Sequence, residues 1–254
     1  MSLSELCELA VDSGYQAICL RPSQVSIHCA PEKIAVAAET IRDRGLSVSM
    51  ISGDVDIVYN NDRGPNCLRN IRPHLQLAAA FGATMIRVCI KSMDDLRDAR
   101  RAADQAAEFG CTLLQQCHVQ SPFETVDQIE DNLRRIDRPN FGLIYEAANL
   151  QQCGQDYGAV TIARLAPWIR NVYLQNQRLS VTGGVTLDNW THGKIAFDVI
   201  EIPDNRGLDF KAIMAALTAG GYDGPITVHQ SAPQDGTSCQ AAARRTAAYL
   251  LGLR

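Results

Sequence analysis

Phe109 to His118 reads FGCTLLQQCH: a glycine stop, a short apolar run, and polar side chains at its far end. A helix closed by glycine and followed at once by a short β-rich run is one unit of β/α alternation. The phrase returns in DSGYQAICL, DRGLSVSMI, AFGATMIRVCI and AGGYDGPITVHQ, and two more units, IDRPNFGLIYEA and LAPWIRNVYLQ, carry Pro139 or Pro167 near the junction. Seven strands are therefore predicted, near residues 15–21, 46–52, 84–91, 111–118, 141–147, 170–176 and 225–230. Strands separated by helices pair in parallel, and this regularity favours a closed (β/α)8 TIM-type barrel over an open doubly wound sheet. The 254 residues fit one such barrel as a single domain, 1–254. No GxGxxG or Walker-type loop points to a nucleotide.

An eighth strand is owed at the start. The chain opens instead on a helix, with Leu3, Leu6, Leu9 and Ala10 at helical spacing and Ser2 as cap. The barrel either lacks its first strand or replaces it. One candidate replacement is the stretch Arg178 to Gly207, which holds the alternating IAFDVIEI and a turn at Thr182-Gly183-Gly184 and reads as a hairpin over the barrel mouth. An unfilled gap leaves two exposed strand edges, which is the reason to expect a homo-oligomer.

Composition excludes several function classes. A net charge of −4 and a pI near 5.7 give no basic footprint for nucleic acid. The opening MSLSELCELAVDSG has no charged and apolar leader pattern, and no apolar run approaches ~20 residues, so no membrane partner and a cytoplasmic location are expected. Nine cysteines without CxxC spacing read as small core residues in a reducing compartment.

Barrel strands alternate side chains between the helix layer and the interior. With Ile86, Val88 and Ile90 on the helix side, Arg87, Cys89 and Lys91 point inward. The same rule sends Cys19 and Arg21, Leu114, Gln116 and His118, Ile144 and Glu146, Tyr173 and Gln175, and Thr227 and His229 inward. The later member of each set lies at the C-terminal strand end, where barrel active sites are built. Glu146, His118, His229 and Lys91 are the catalytic candidates. Arg21, Arg87, Gln116, Tyr173, Gln175, Trp190 and Arg206 are the candidates for binding substrate, with Trp190 either a lid over a sugar ring or an apolar anchor for its loop.

With these residues in place, the chain resembles the xylose isomerase-like TIM-barrel superfamily of sugar and inosose isomerases, epimerases, dehydratases and endonuclease IV type nucleases. The resemblance rests on GYQAICLRP, NNDRGPNCLRNIRPHLQLAAAFGATMIRV, LLQQCHVQSPFET and the closing RGLDFKAIMAALTAGGYDGPITVHQ. It implies a divalent metal held by glutamate, aspartate, histidine and glutamate on successive strands. Carried over, the first glutamate falls on Gln116, the aspartate on Glu146 and the histidine three residues on at Asn149. The ligand histidine falls on Tyr173, with the aspartate after it on Asn176, the last glutamate on His229, and an early glutamate on Cys19. Glu146, His229 and Gln116 are left to hold Mn²⁺, Zn²⁺ or Mg²⁺, a set short of anionic ligands.

The resemblance implies a sugar isomerase or epimerase acting on a small carbohydrate or sugar phosphate by proton transfer beside a carbonyl, with or without metal. The alternatives are a lyase or dehydratase on an oxidised sugar and a non-catalytic carbohydrate-binding barrel. A nuclease ranks below these, since His28, His74 and His192 lie off the predicted strand ends.

Overall fold

The computed structural model describes residues 1–231 and 236–253. All seven expected strands are present: β1 Ala17–Leu20, β2 Ser47–Ser52, β3 Met85–Val88, β4 Thr112–Gln116, β5 Phe141–Tyr145, β6 Ile169–Leu174 and, after the three strands introduced below, β10 Ile226–Val228. They form one sheet in the order β1-β2-β3-β4-β5-β6-β10, a mixed α/β architecture of the TIM-barrel type. The chain divides into two compact units, residues 1–116 with 134–142 and residues 117–133 with 143 onward.

In the first unit, parallel ladders run from β1 to β4, for example Ile18 beside Val48, Ile51 beside Ile86 and Ile86 beside Leu113. Leu113 N also donates to Asn140 O, which leads toward β5. The glycine stops explain the register. Gly110 takes φ +64°, a left-handed turn that a side chain resists, and Cys111 N then donates back to Ala106 O to close the helix before β4 starts. The N-terminal helix is capped as expected: Ser2 Oγ accepts from Glu5 N while Ser2 N donates to the Glu5 carboxylate.

Cysteines fill this core. A Cβ on Gly53 would sit 2.4 Å from Cys67 Sγ, and one on Gly64 would sit 2.8 Å from Cys89 Sγ. Burial pushes the Cys89 thiol up to about 11, so it stays protonated and inert.

His74, in the helix Arg72–Ala80, is 2% exposed. Burial lowers its pKa, and the nearby Asp54 carboxylate only partly offsets this. The unfolded chain takes up a proton near ~6.5 that the folded chain resists, so this contribution to stability is complete above that pH and is lost as pH falls. Urea unfolding at pH 7.5 and 5.5 is expected to show an acid loss, at most about 1.4 kcal/mol per pH unit, that His74→Gln lacks. Equal losses in both proteins would assign the effect elsewhere.

In the second unit, β6 pairs with both β5 and β10 in parallel, and Cys117 N donates to Ile144 O. Residues 178–207 do not supply an eighth parallel strand. They contribute to a separate antiparallel sheet of β7 Gln177–Leu179, β8 Val185–Asn189 and β9 Gly193–Val199, in the order β7-β9-β8. The tight turn of the β8–β9 hairpin lies at residues 190–192, while Thr182-Gly183-Gly184 carries the chain from β7 to β8. Gly183 is pressed against the Phe197 backbone, where a Cβ would come within 2.5 Å.

Candidate active site

In the second unit, Glu146 is the first residue after β5 and leads into the short helix Ala147–Gln152. Only 1% of its side chain is exposed, so its charge needs partners. Asn149, one helical turn on, donates from Nδ2 to Glu146 Oε2 at 3.0 Å and to Cys117 O at 2.8 Å. His229 Nδ1 lies 3.4 Å from Glu146 Oε1. The Glu146 backbone N–H rests on Cys117 Sγ at 3.0 Å, and the thiol points back to the Glu146 carbonyl at 3.4 Å. Burial first, and the Glu146 charge second, push the Cys117 thiol far above its usual range, so it acts as a neutral spacer.

His229 is the first residue after β10, and its N–H extends the ladder to Leu174 O at 2.8 Å. The Tyr173 ring lies against the imidazole with centroids 4.6 Å apart. The His229 side chain is 23% exposed, so it, and not the carboxylate, reaches the surroundings. Its Nε2 has no hydrogen-bond partner among the described residues. A buried carboxylate fixing one imidazole nitrogen while the other is open is an arrangement suited to proton transfer.

The antiparallel sheet is held to the same unit by polar contacts. Glu124, 1% exposed, accepts from Trp190 N and Thr191 N at 2.8 Å each, from Thr191 Oγ1 at 2.6 Å and from Gln120 N at 2.5 Å. Gln120 takes φ +53°, which turns its N–H toward that carboxylate. Asn189 Nδ2 donates to Gln152 O at 3.0 Å. At the sheet's base, Gln177 Nε2 donates to Ala148 O and Gln151 Oε1, each at 3.0 Å, and Gln152 donates to Gln177 Oε1 at 2.7 Å.

The other expected residues are placed as follows. His118 lies two residues past β4, with Nδ1 at 3.0 Å from Val119 O. Gln175 follows β6, partly exposed, and its amide makes no hydrogen bond among the described residues. Trp190 is 62% exposed, so the apolar-anchor reading fails: Glu124 fixes the hairpin tip through the backbone. Arg206 folds onto Asp204, with Nε at 2.9 Å from Oδ1, and this pairing lowers Asp204 to about 2. In the first unit, Arg21 follows β1, Arg87 is buried in β3 with a 3.5 Å contact to Ile57 O, Lys91 Nζ donates to Asn60 O at 3.1 Å, and Gln116 is a buried β4 residue.

The sequence reading missed Glu124, which reads there as one more acid ahead of a helix. It also gave Asn149 and Asn176 no role beyond a lost metal ligand. A cavity of about 320 Å³ lies at the opposite ends of β6 and β10, beside Arg170 and Tyr222.

The fit to a divalent cation is poor. Among the described residues no group of three or more His, Cys, Asp or Glu side chains converges on a point where an ion would sit. Both Glu146 oxygens already face side-chain nitrogens, of Asn149 and His229.

Residues 7–250 match the family described as "Xylose isomerase-like TIM barrel". An inosose dehydratase of Geobacillus thermodenitrificans (strain NG80-2) is 28% identical over 129 residues, which cover 50% of this chain and 43% of that protein. The match thus spans less than half of the relative. A xylose isomerase-like TIM-barrel protein of Mycobacterium smegmatis in complex with magnesium superposes with a TM-score of 0.74 at 16% identity, covering 98% of this chain and 87% of that one. D-allulose 3-epimerase of Methylomonas sp. superposes with a TM-score of 0.70 at 15% identity, covering 99% and 92%. At these identities the two structures speak for the fold.

Proposed function

Since the chain belongs to the xylose isomerase-like TIM-barrel family, we propose that it is an enzyme moving a proton beside the carbonyl of a small polyhydroxylated carbohydrate, as an isomerase, epimerase or dehydratase. The observation that carries this reading is the Glu146–His229 pair: a buried carboxylate on one imidazole nitrogen, with the other nitrogen open among the described residues. The dehydratase among the relatives supports the substrate class, since such a reaction begins from an acidic C–H next to a carbonyl.

In this reading His229 Nε2 takes the proton from the carbon next to the carbonyl. The C–H electron pair moves into a carbon–carbon double bond, and the carbonyl oxygen takes up the charge of an enediolate. Return of the proton to the neighbouring carbon, with the hydroxyl proton passing to the former carbonyl oxygen, gives the isomer; delivery of a proton from water to the opposite face of the same carbon, while His229 releases its own proton to solvent, gives the epimer. Departure of a β-hydroxyl as water gives the dehydrated product. Glu146 is a positioning residue: it holds the proton on Nδ1, keeps Nε2 a base, and stabilises the imidazolium that forms. The Gln175 amide and His118 are assigned to substrate hydroxyls.

The test is deuterium uptake from D₂O, followed by NMR, over a panel of aldoses, ketoses, keto-cyclitols and their phosphates. Uptake at one carbon of one compound, lost in His229→Asn, is the expected result. The loss of metal-ligand identities favours a second reading, a carbohydrate-binding barrel without catalysis. Saturable binding of a panel member with no uptake anywhere would establish that reading instead.

A further inference from the structure

We propose that the imidazole of His229 occupies the position against Glu146 that a divalent cation would take, so that this site works without metal. The inference uses the residue pair of the proposed reaction, but it concerns what neutralises the carboxylate and is read by binding, not turnover.

Three features of the site lead to it. A carboxylate that serves a cation turns lone pairs toward it, whereas Glu146 Oε2 receives Asn149 Nδ2 at 3.0 Å and Oε1 faces His229 Nδ1 at 3.4 Å. The amide of Asn149 is locked in that sense because its Nδ2 also donates to Cys117 O at 2.8 Å, so its oxygen is turned away from the carboxylate. Tyr173 offers His229 an aromatic ring at 4.6 Å and no nitrogen ligand. What remains is one carboxylate and one imidazole, below the three or more ligands that hold Zn²⁺ and the oxygen-rich shells that hold Mg²⁺ or Mn²⁺. The N–H of His229 meets the electrostatic need of a buried anion, which a cation would otherwise meet.

The geometry also predicts how a cation site would be recovered. Glutamate at 229 would set a second carboxylate against Glu146, and two carboxylates in one buried gap cannot both stay ionised without a counter-charge. Histidine at 173 would add a nitrogen ligand beside them. The double variant Tyr173→His/His229→Glu thus raises the ligand count from two to three.

The experiment is calorimetric titration of untagged protein with Mn²⁺ and with Zn²⁺. The native protein is expected to show no one-to-one binding up to about 1 mM, and the double variant to bind Mn²⁺ at least about 100-fold more tightly than that limit. A native site binding either ion one-to-one in the micromolar range, with the binding lost in Glu146→Gln, would overturn the proposal. A double variant that keeps its circular dichroism and cooperative melt but gains no Mn²⁺ affinity would overturn it as well. Should that variant fail to fold, the native titration with its Glu146→Gln control still decides. Absence of deuterium uptake would remove the proposed reaction and leave this result standing; metal binding would remove this inference whatever the uptake.

Discussion

Replacing Glu146 with glutamine is expected to lower kcat by about 10³-fold while KM moves less than about threefold, the pattern of a residue that acts through its neighbour. The reason lies in Asn149. Its Nδ2 demands an acceptor at the position of Oε2, so the new amide must place its oxygen there and its NH₂ toward His229. Facing a donor, the imidazole must accept at Nδ1 and carry its hydrogen on Nε2, which turns the proposed base into a donor. Steady-state kinetics on the compound found by deuterium uptake checks this. Glu146→Asp, which keeps an anion on the far side of His229, should recover part of the loss. Unchanged kcat in Glu146→Gln would end the assignment.

The second large effect concerns folding. Asn176 is fully buried and gathers the strand-to-sheet junction of the second unit around one side chain. Its Nδ2 donates to Glu201 O and Asp204 O at 2.8 Å, and its Oδ1 accepts from Gln177 N and Leu208 N at 2.9 Å. Gly207 makes room, since a Cβ there would lie 2.0 Å from that oxygen. Asn176→Leu keeps the volume and strands two donors and two acceptors, each costing about 1–3 kcal/mol when buried, so a loss of at least about 4 kcal/mol is expected in urea unfolding. Asn176→Asp should also destabilise, because a carboxylate cannot donate to the carbonyls that the amide now serves. A loss below about 1 kcal/mol for the leucine variant would mean that water replaces the amide.

The strands were legible because their punctuation is local. Gly14, Gly45, Gly82, Gly110 and Gly221 all take positive φ, each near the helix end that precedes a strand. The strand ends were overshot: β3 stops at Val88, β4 at Gln116 and β5 at Tyr145, while the alternation of polar and apolar residues runs on past the hydrogen-bonded ladder. Those overrunning residues include Lys91, His118 and Glu146, so the error fell where the candidate residues are. The pairing of Glu146 with His229 spans 83 positions and leaves no periodic trace. Glu124 was hidden for the same reason, its donors in the hairpin lying 66 and 67 residues away. In the 178–207 stretch the alternating IAFDVIEI, whose IAFDV lies in β9, was visible, whereas the partners QRL and VTLDN are too short and polar to announce strands.

Three of the four donors that Glu124 gathers are main-chain N–H groups, of Gln120, Trp190 and Thr191. Every residue except proline carries such a group, and of the hairpin's side chains only the Thr191 hydroxyl joins them, so the latch grips residue 190 without reading its side chain. Position 190 is therefore open to sequence drift: its side chain can change in size, charge or shape while the tip stays moored. Neutral variation can accumulate there at little cost in folding.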